Sequence, residues 1–154
     1  AHLRQMRQEQ VLPDVISYNA AISACEKGGC WALALSQLRE MRQHDLTPGV
    51  ISYSAAISAC EKGGQWQWAL AQLREMRQQH IAPNAFSFNA AISACAKGGQ
   101  WLRALSHLLQ MRRQQISPDT FTYNAAISAC GQGGQWQLAM AQLCDMRREH
   151  ILPN

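Results

Sequence analysis

Lysine occurs three times in this chain, at Lys27, Lys62 and Lys97, and the three stand 35 residues apart. Arginine keeps the same step at Arg7, Arg42, Arg77, Arg112 and Arg147. Like charges at a fixed spacing can form a linear electrostatic track, which suits a linear polyanion. Cations can also sit at helix C-termini, where the dipole favours them. The arginines fit this second account as solvated helix-end cations, and the lysines fit the first. Other chemistry is harder to assemble. Cys25, Cys60, Cys95 and Cys130 share the 35-residue step, and stacked units hold equivalent atoms about 8–10 Å apart, beyond the roughly 7 Å between Cα atoms that a disulfide tolerates. No CxxC pair is present, and His2, His44, His80, His107 and His150 form no ligand cluster with the cysteines, so no metal site is expected. Thiols buried as small hydrophobes are the better account, and they point to a reducing compartment. Ser23, Ser58, Ser93 and Ser128 lack a paired histidine, while Glu26 and Glu61 read as helix-end polar residues, so neither a catalytic group nor a cofactor is expected.

The rows of charge repeat because the whole chain does. Proline falls at Pro13, Pro48, Pro83, Pro118 and Pro153, tryptophan at Trp31, Trp66, Trp101 and Trp136, and methionine at Met6, Met41, Met76, Met111 and Met146. A fixed period of this size marks a solenoid, in which like units stack and bury a continuous core. The 154 residues divide into a tail of a preceding repeat, 1–14, and four repeats, 15–49, 50–84, 85–119 and 120–154, together one solenoid. Both ends fall inside the repeating pattern, so the chain reads as a piece of a longer array. No stretch resembles a membrane span, and no membrane partner is expected.

The second repeat shows which elements must position these residues. From Ile51 to Lys62 the apolar residues Ile51, Ala55, Ile57 and Cys60 fall mostly at spacings of three and four, which predicts a short helix. Gly63 and Gly64 stop it. A second helix is predicted from about Trp66 to Gln79, with Trp66, Ala69, Leu70, Leu73 and Met76 in one apolar stripe, so the tryptophans and methionines are expected in the core. His80 to Asn84 connect to the next unit, and Pro83 forbids continuation of the helix. Each repeat is then an antiparallel helix hairpin, and the fold class is all-α.

The segments ISYNAAISACEKGG, ISYSAAISACEKGG, FSFNAAISACAKGG and FTYNAAISACGQGG, each followed by a helix carrying AL and MR and by a closing proline, resemble pentatricopeptide repeats. The resemblance covers the whole chain. It implies a right-handed superhelical solenoid that binds single-stranded RNA, one base per repeat, with the protein running parallel to the RNA from 5′ to 3′. It further implies which side chains do so. The base readers would be Asn19, Ser54, Asn89 and Asn124, paired respectively with Gly49, Asn84, Asp119 and Asn154. Ile16, Ile51, Phe86 and Phe121 would wedge between neighbouring bases. Lys27, Lys62 and Lys97 would face phosphate, with Gln132 holding its phosphate more weakly.

The chemistry of these residues agrees with such a role, since Asn, Ser and Asp offer the donors and acceptors that read Watson–Crick edges. Among nearly copied frameworks, the residue after each proline varies as Asp14, Gly49, Asn84, Asp119 and Asn154. Asx there could simply cap the next helix, but capping alone does not explain the choice among Gly, Asn and Asp. By the family's pairing pattern the implied footprint is 5′-(pyrimidine)-A-U-C/U-3′, and the family implies a role in RNA processing in a mitochondrion or plastid. The competing expectation is a structural or protein-interaction solenoid within a large complex such as an organellar ribosome. An enzyme is not expected within these residues, and a catalytic domain would lie outside them.

Overall fold

The computed structural model describes residues 13–152, so Met6, Arg7, Pro153, Asn154 and nearly all of the tail 1–14 lie outside the described residues. Among the described residues there are eight helices and no strand. They run α1 Val15–Lys27, α2 Trp31–Gln43, α3 Val50–Lys62, α4 Trp66–Gln78, α5 Ala85–Lys97, α6 Trp101–Arg113, α7 Thr120–Gln132 and α8 Trp136–Arg148. Each odd helix pairs with the even helix that follows it, which makes four hairpins.

Local chemistry fixes both ends of every odd helix. Asp14, Asn84 and Asp119 cap α1, α5 and α7, each side chain accepting from the backbone N–H of Ser17, Ser87 or Thr122 at 2.8, 2.9 and 2.8 Å. Gly49 has no side chain to offer, and its own N–H donates to Ser52 Oγ at 3.2 Å. At the other end Gly29, Gly64, Gly99 and Gly134 take φ of 65 to 69°, and the following N–H closes back on the cysteine carbonyl, as from Gln65 to Cys60 at 2.8 Å. The even helices close in the same way without glycine. Asp45, His80, Gln115 and His150 take φ of 56 to 58°, and the next residue bonds back to the periodic methionine.

Packing differs on the two sides of the stack. Helices α1, α3, α5 and α7 pack backbone against backbone in sequence, whereas the backbones of α2, α4, α6 and α8 stay apart and these helices meet only through long side chains, as Arg42 meets Glu75 and Trp31 stacks on Trp68. The odd helices are rich in Ala and Ser, whose small side chains let backbones approach closely. The array is therefore tighter on that side and curves with the odd helices on its concave face. Ser52 to Cys60 of α3 and, half-buried Asn89 apart, Ser87 to Ala96 of α5 are buried, being flanked by helices of both neighbouring repeats.

Tyr18, Tyr53, Phe88 and Tyr123 and the four methionines Met41, Met76, Met111 and Met146 are fully buried, so the methionines occupy the core as expected. The tryptophans sit at its edge, Trp31, Trp66 and Trp101 packing against it from outside. Trp31, Trp66 and Trp101 are half-buried, and Trp136 is 67% exposed. At the first position of an even helix the ring points along the array rather than into its own hairpin, and it lies against the turn glycine of the next repeat. A Cβ on Gly63, Gly98 or Gly133 would meet Cδ1 of Trp31, Trp66 or Trp101 at 2.4, 2.2 or 2.3 Å. The tryptophans are thus inter-repeat contacts. Burial pushes the Cys60 thiol up to about 12 and Cys95 to about 11, which leaves both as unreactive apolar groups.

Candidate nucleic-acid interface

Three rows of side chains run along the concave side, each supplied by one turn of the odd helices. The first row is apolar and open to solvent. Ile16, Ile51, Phe86 and Phe121 are 76, 65, 51 and 53% exposed, although nothing in their own hairpins requires a large apolar residue there. Such residues, repeated at one place in four successive units, form a comb of flat or branched side chains separated by one repeat each.

The second row is polar and lies one helical turn further on. Asn19 and Asn89 are half-buried, Asn124 is exposed, and Ser54 is buried. Beside them stand Gly49, half-buried, and Asn84 and Asp119, both exposed at the start of the next repeat. Asn89 and Asp119 meet directly, the amide Nδ2 donating to both carboxylate oxygens at 3.2 and 3.3 Å. Asp119 therefore does two things at once. One oxygen caps the next helix, and the remaining edge faces the groove beside the residue of the second row. Burial raises the Asp119 pKa, but hydrogen bonds from the Thr122 backbone and hydroxyl and from Asn89 outweigh it and hold the carboxyl below its ordinary value of 3.8. Asp119→Ala is expected to cost about 1 kcal/mol of stability near neutral pH through loss of the cap. A group with a lowered folded pKa stabilises above its unfolded pKa and loses that contribution as pH falls through the folded value. Thermal melts of parent and variant should therefore converge as the pH falls below the ordinary aspartate value of 3.8.

The third row carries charge, and it differs from a bare cationic track. Lys62 and Lys97 are exposed at the last turn of α3 and α5, but each is paired to the preceding repeat, Lys62 to Glu26 at 3.0 Å and Lys97 to Glu61 at 2.6 Å. Ser58 and Ser93 hold the same carboxylates at 2.9 and 2.8 Å. Glu26 and Glu61, expected only as helix-end polar residues, are therefore rungs of a Glu–Lys ladder between repeats. A signal for it exists in the sequence: the third repeat has Ala96 in place of the glutamate, and Gln132 replaces the lysine that would have paired with it.

The arginines stand in the last turns of the even helices as expected, but they are not solvated. Arg42, Arg77 and Arg112 are half-buried, and their guanidinium groups lie 5.5, 5.4 and 5.5 Å over the rings of Tyr53, Phe88 and Tyr123 in the next repeat. Arg42 also pairs with Glu75, and Arg112 with Asp145 at 3.6 Å and Glu149 at 3.1 Å. They are staples between repeats rather than solvated helix-end charges, because the connection brings the next repeat's aromatic, eleven residues on, beneath each guanidinium. Among the described residues no three metal-ligating side chains cluster, and no helix is long and apolar enough to cross a membrane.

Family models match almost the entire described chain. The pentatricopeptide repeat domain model covers residues 35–98, the PPR repeat family model 83–132, and the PPR repeat model 16–46 and 121–151. The chain belongs to the pentatricopeptide repeat family. A search of curated protein sequences finds no match. Among solved structures, the pentatricopeptide repeat protein PPR10 from maize superposes with a TM-score of 0.85 at 20% identity, over 99% of this chain and 22% of PPR10. PPR10 in complex with an 18-nt psaJ RNA element gives 0.79 at 24% identity, over 99% of this chain and 23% of that one. The PPR domain of Arabidopsis thaliana protein-only RNase P 1, in complex with tRNA, gives 0.84 at 13% identity, over 98% of this chain and 80% of that one. At these identities the likeness establishes a shared pentatricopeptide repeat fold, and the chain spans less than a quarter of the length of PPR10.

Proposed function

We propose that this chain binds single-stranded RNA along its concave face, one base per repeat, each base lying between two apolar wedges and over one polar pair. The observation that carries this reading is the coincidence, at one spacing and on one face, of an exposed apolar comb and a row of paired hydrogen-bonding groups. Each half alone is ordinary. Together they supply stacking, worth about 1–3 kcal/mol per base, and edge recognition. The RNA complexes of PPR10 and of protein-only RNase P 1 support the RNA-binding part of this reading. The proposed order is Asn19 with Gly49, Ser54 with Asn84, Asn89 with Asp119, and Asn124 with Asn154, facing 5′-(pyrimidine)-A-U-C/U-3′. A role in RNA metabolism of a mitochondrion or plastid belongs to this proposal through the family alone.

The Glu–Lys ladder shapes the test. If Lys27, Lys62 and Lys97 contact phosphate, log affinity should fall with log salt at about −0.7 per contact, so roughly −2 from the three lysines. Each Lys→Ala change should flatten the slope by about 0.7 without altering base preference. Glu61→Gln should strengthen binding at low salt, because Lys97 then no longer has to leave a carboxylate to reach a phosphate. Fluorescence titrations of labelled RNA across a salt series check both. No measurable RNA binding at low salt would favour a protein-interaction solenoid instead.

A further inference from the structure

We propose that Ser52, Ser87 and Thr122 are positioning residues for base recognition, each fixing the hydrogen-bond polarity of the pair that belongs to the repeat before its own. The inference rests on the RNA-reading function proposed above and adds a third residue to each reading pair. All three side chains are completely buried, so none can touch RNA itself. Each sits at the third position of an odd helix, where the helix stacking seen on the concave side brings it beneath the preceding repeat.

The hydroxyl in every case lies between the two members of a pair. Ser52 Oγ donates to Asn19 Oδ1 at 2.6 Å and accepts from the Gly49 N–H. Ser87 Oγ lies 2.7 Å from Ser54 Oγ and 2.9 Å from Asn84 Oδ1. Thr122 Oγ1 lies 2.5 Å from Asn89 Oδ1 and 2.8 Å from Asp119 Oδ1. A hydroxyl has one proton and two lone pairs, so where it spends the proton decides what its neighbours have left.

In the first repeat the hydroxyl proton goes to the Asn19 oxygen, and in the third it is shared between the Asn89 oxygen at 2.5 Å and the Asp119 oxygen at 2.8 Å. The amide is then held with its oxygen down and its NH2 toward the groove, as the Asn89 Nδ2 contacts to Asp119 show. A free asparagine could present either end. In the second repeat Asn84 Oδ1 takes the Ser87 proton, so Ser54 must donate to Ser87 and keeps only lone pairs for a ligand. The second pair then offers one acceptor, Ser54 Oγ, and one donor, Asn84 Nδ2. That set complements adenine, which has the N6 amino group as donor and N1 as acceptor. The third pair offers the Asn89 amide as donor and the Asp119 carboxylate as acceptor. Uracil supplies a carbonyl and N3–H to match.

The test is Thr122→Val, which keeps the shape of the side chain and removes the hydroxyl, with Thr122→Ser as the conservative rescue. Binding is measured by competition among single-stranded RNAs that differ only at the base facing the third repeat, and separately at the base facing the fourth. The parent should rank uracil first at the third base by about tenfold. Thr122→Val should reduce that ranking to within about threefold, because the Asn89 amide is free to turn over. The ranking at the fourth base should not change, although the substitution is in the fourth repeat, and Thr122→Ser should restore the parental order. A merely structural role would weaken all RNAs alike. Should Thr122→Val fail to fold by circular dichroism, Ser52→Ala tests the same relation at the first base. A parent that ranks bases at the third position and a valine variant that ranks them identically would overturn this proposal alone. A parent that binds RNA without ranking any base would overturn the base-reading function and this inference with it.

Discussion

Gly98→Ala is expected to destabilise the array by about 1–3 kcal/mol, the usual penalty for one methyl group forced into filled space, whereas Gly28→Ala in this chain, the same change where no described indole lies against the glycine, should carry no penalty. Backbone conformation cannot separate the two, since both glycines have φ of −85°. What separates them is the preceding indole. A Cβ at Gly98 would stand 2.2 Å from Trp66 Cδ1 and 2.8 Å from Cγ, whereas at Gly28 the nearest atoms among the described residues are 3.6 Å away in ordinary contact. Replacing glycine at a compatible position stabilises by about 0.4–1 kcal/mol through the unfolded chain, so Gly28→Ala should be neutral or slightly favourable. The Trp66→Ala background supplies the decisive comparison. Removing the ring destabilises by itself, by less than the about 3–5 kcal/mol of a fully buried tryptophan because the ring is only half-buried. With the ring gone, Gly98→Ala has nothing to strike, and its cost should vanish. The coupling between the two changes therefore equals most of the glycine penalty. Urea unfolding of the four proteins measures it. Equal shifts for Gly28→Ala and Gly98→Ala would mean that the tryptophan does not seat on the next repeat.

This contact also shows where a one-dimensional reading stops. The period, the hairpin and the stop at paired glycines are all legible, because each depends on residues within one repeat. Met76 and Leu73 belong to one apolar stripe of α4, and the stripe predicts their burial, although the clusters they join run across repeats. Trp66 belongs to the same stripe, yet its partner is Gly98, a residue with no side chain to reveal a match. Arg77 and Phe88 are separated by a connection that reverses the chain, and nothing in helical periodicity relates them. The Glu26–Lys62 rung is intermediate. It could have been found by comparing repeats, since the glutamate and the following lysine are lost together at Ala96 and Gln132. Ser87 and Thr122 are harder to see. As the third residue of a helix they fit a capping pattern so well that their second contact, to Ser54 and Asn89, leaves no mark in the sequence. The left-handed residues Asp45, His80, Gln115 and His150 are likewise unsignalled, because four different helices end alike on three different amino acids.

The pair Ser54 and Asn84 offers the largest expected change in recognition. Asn84→Asp should move the preference of the second repeat from adenine to guanine, inverting the ratio of the two affinities by about tenfold or more. The fold should not notice. Asn84 caps α5 through Oδ1, which accepts from the Ser87 N–H and hydroxyl, both at 2.9 Å. A carboxylate oxygen caps a helix equally well, and Asp119 already does so in the next repeat with the same geometry. What changes is the outward atom, from an NH2 that donates to an oxygen that only accepts. With the Ser87 proton still engaged below, Ser54 also presents lone pairs, so the variant offers two acceptors. Guanine meets them with two donors, N1–H and N2–H, whereas adenine N1 would face a carboxylate oxygen with no proton between them. The measurement is competition binding of parent and variant against RNAs that differ only at the second base, with melting curves to show that the cap is intact. If melting is unchanged and both proteins rank the four bases identically, Asn84 is a helix cap and nothing more, and base reading by this array fails at the pair best defined by its hydrogen bonds.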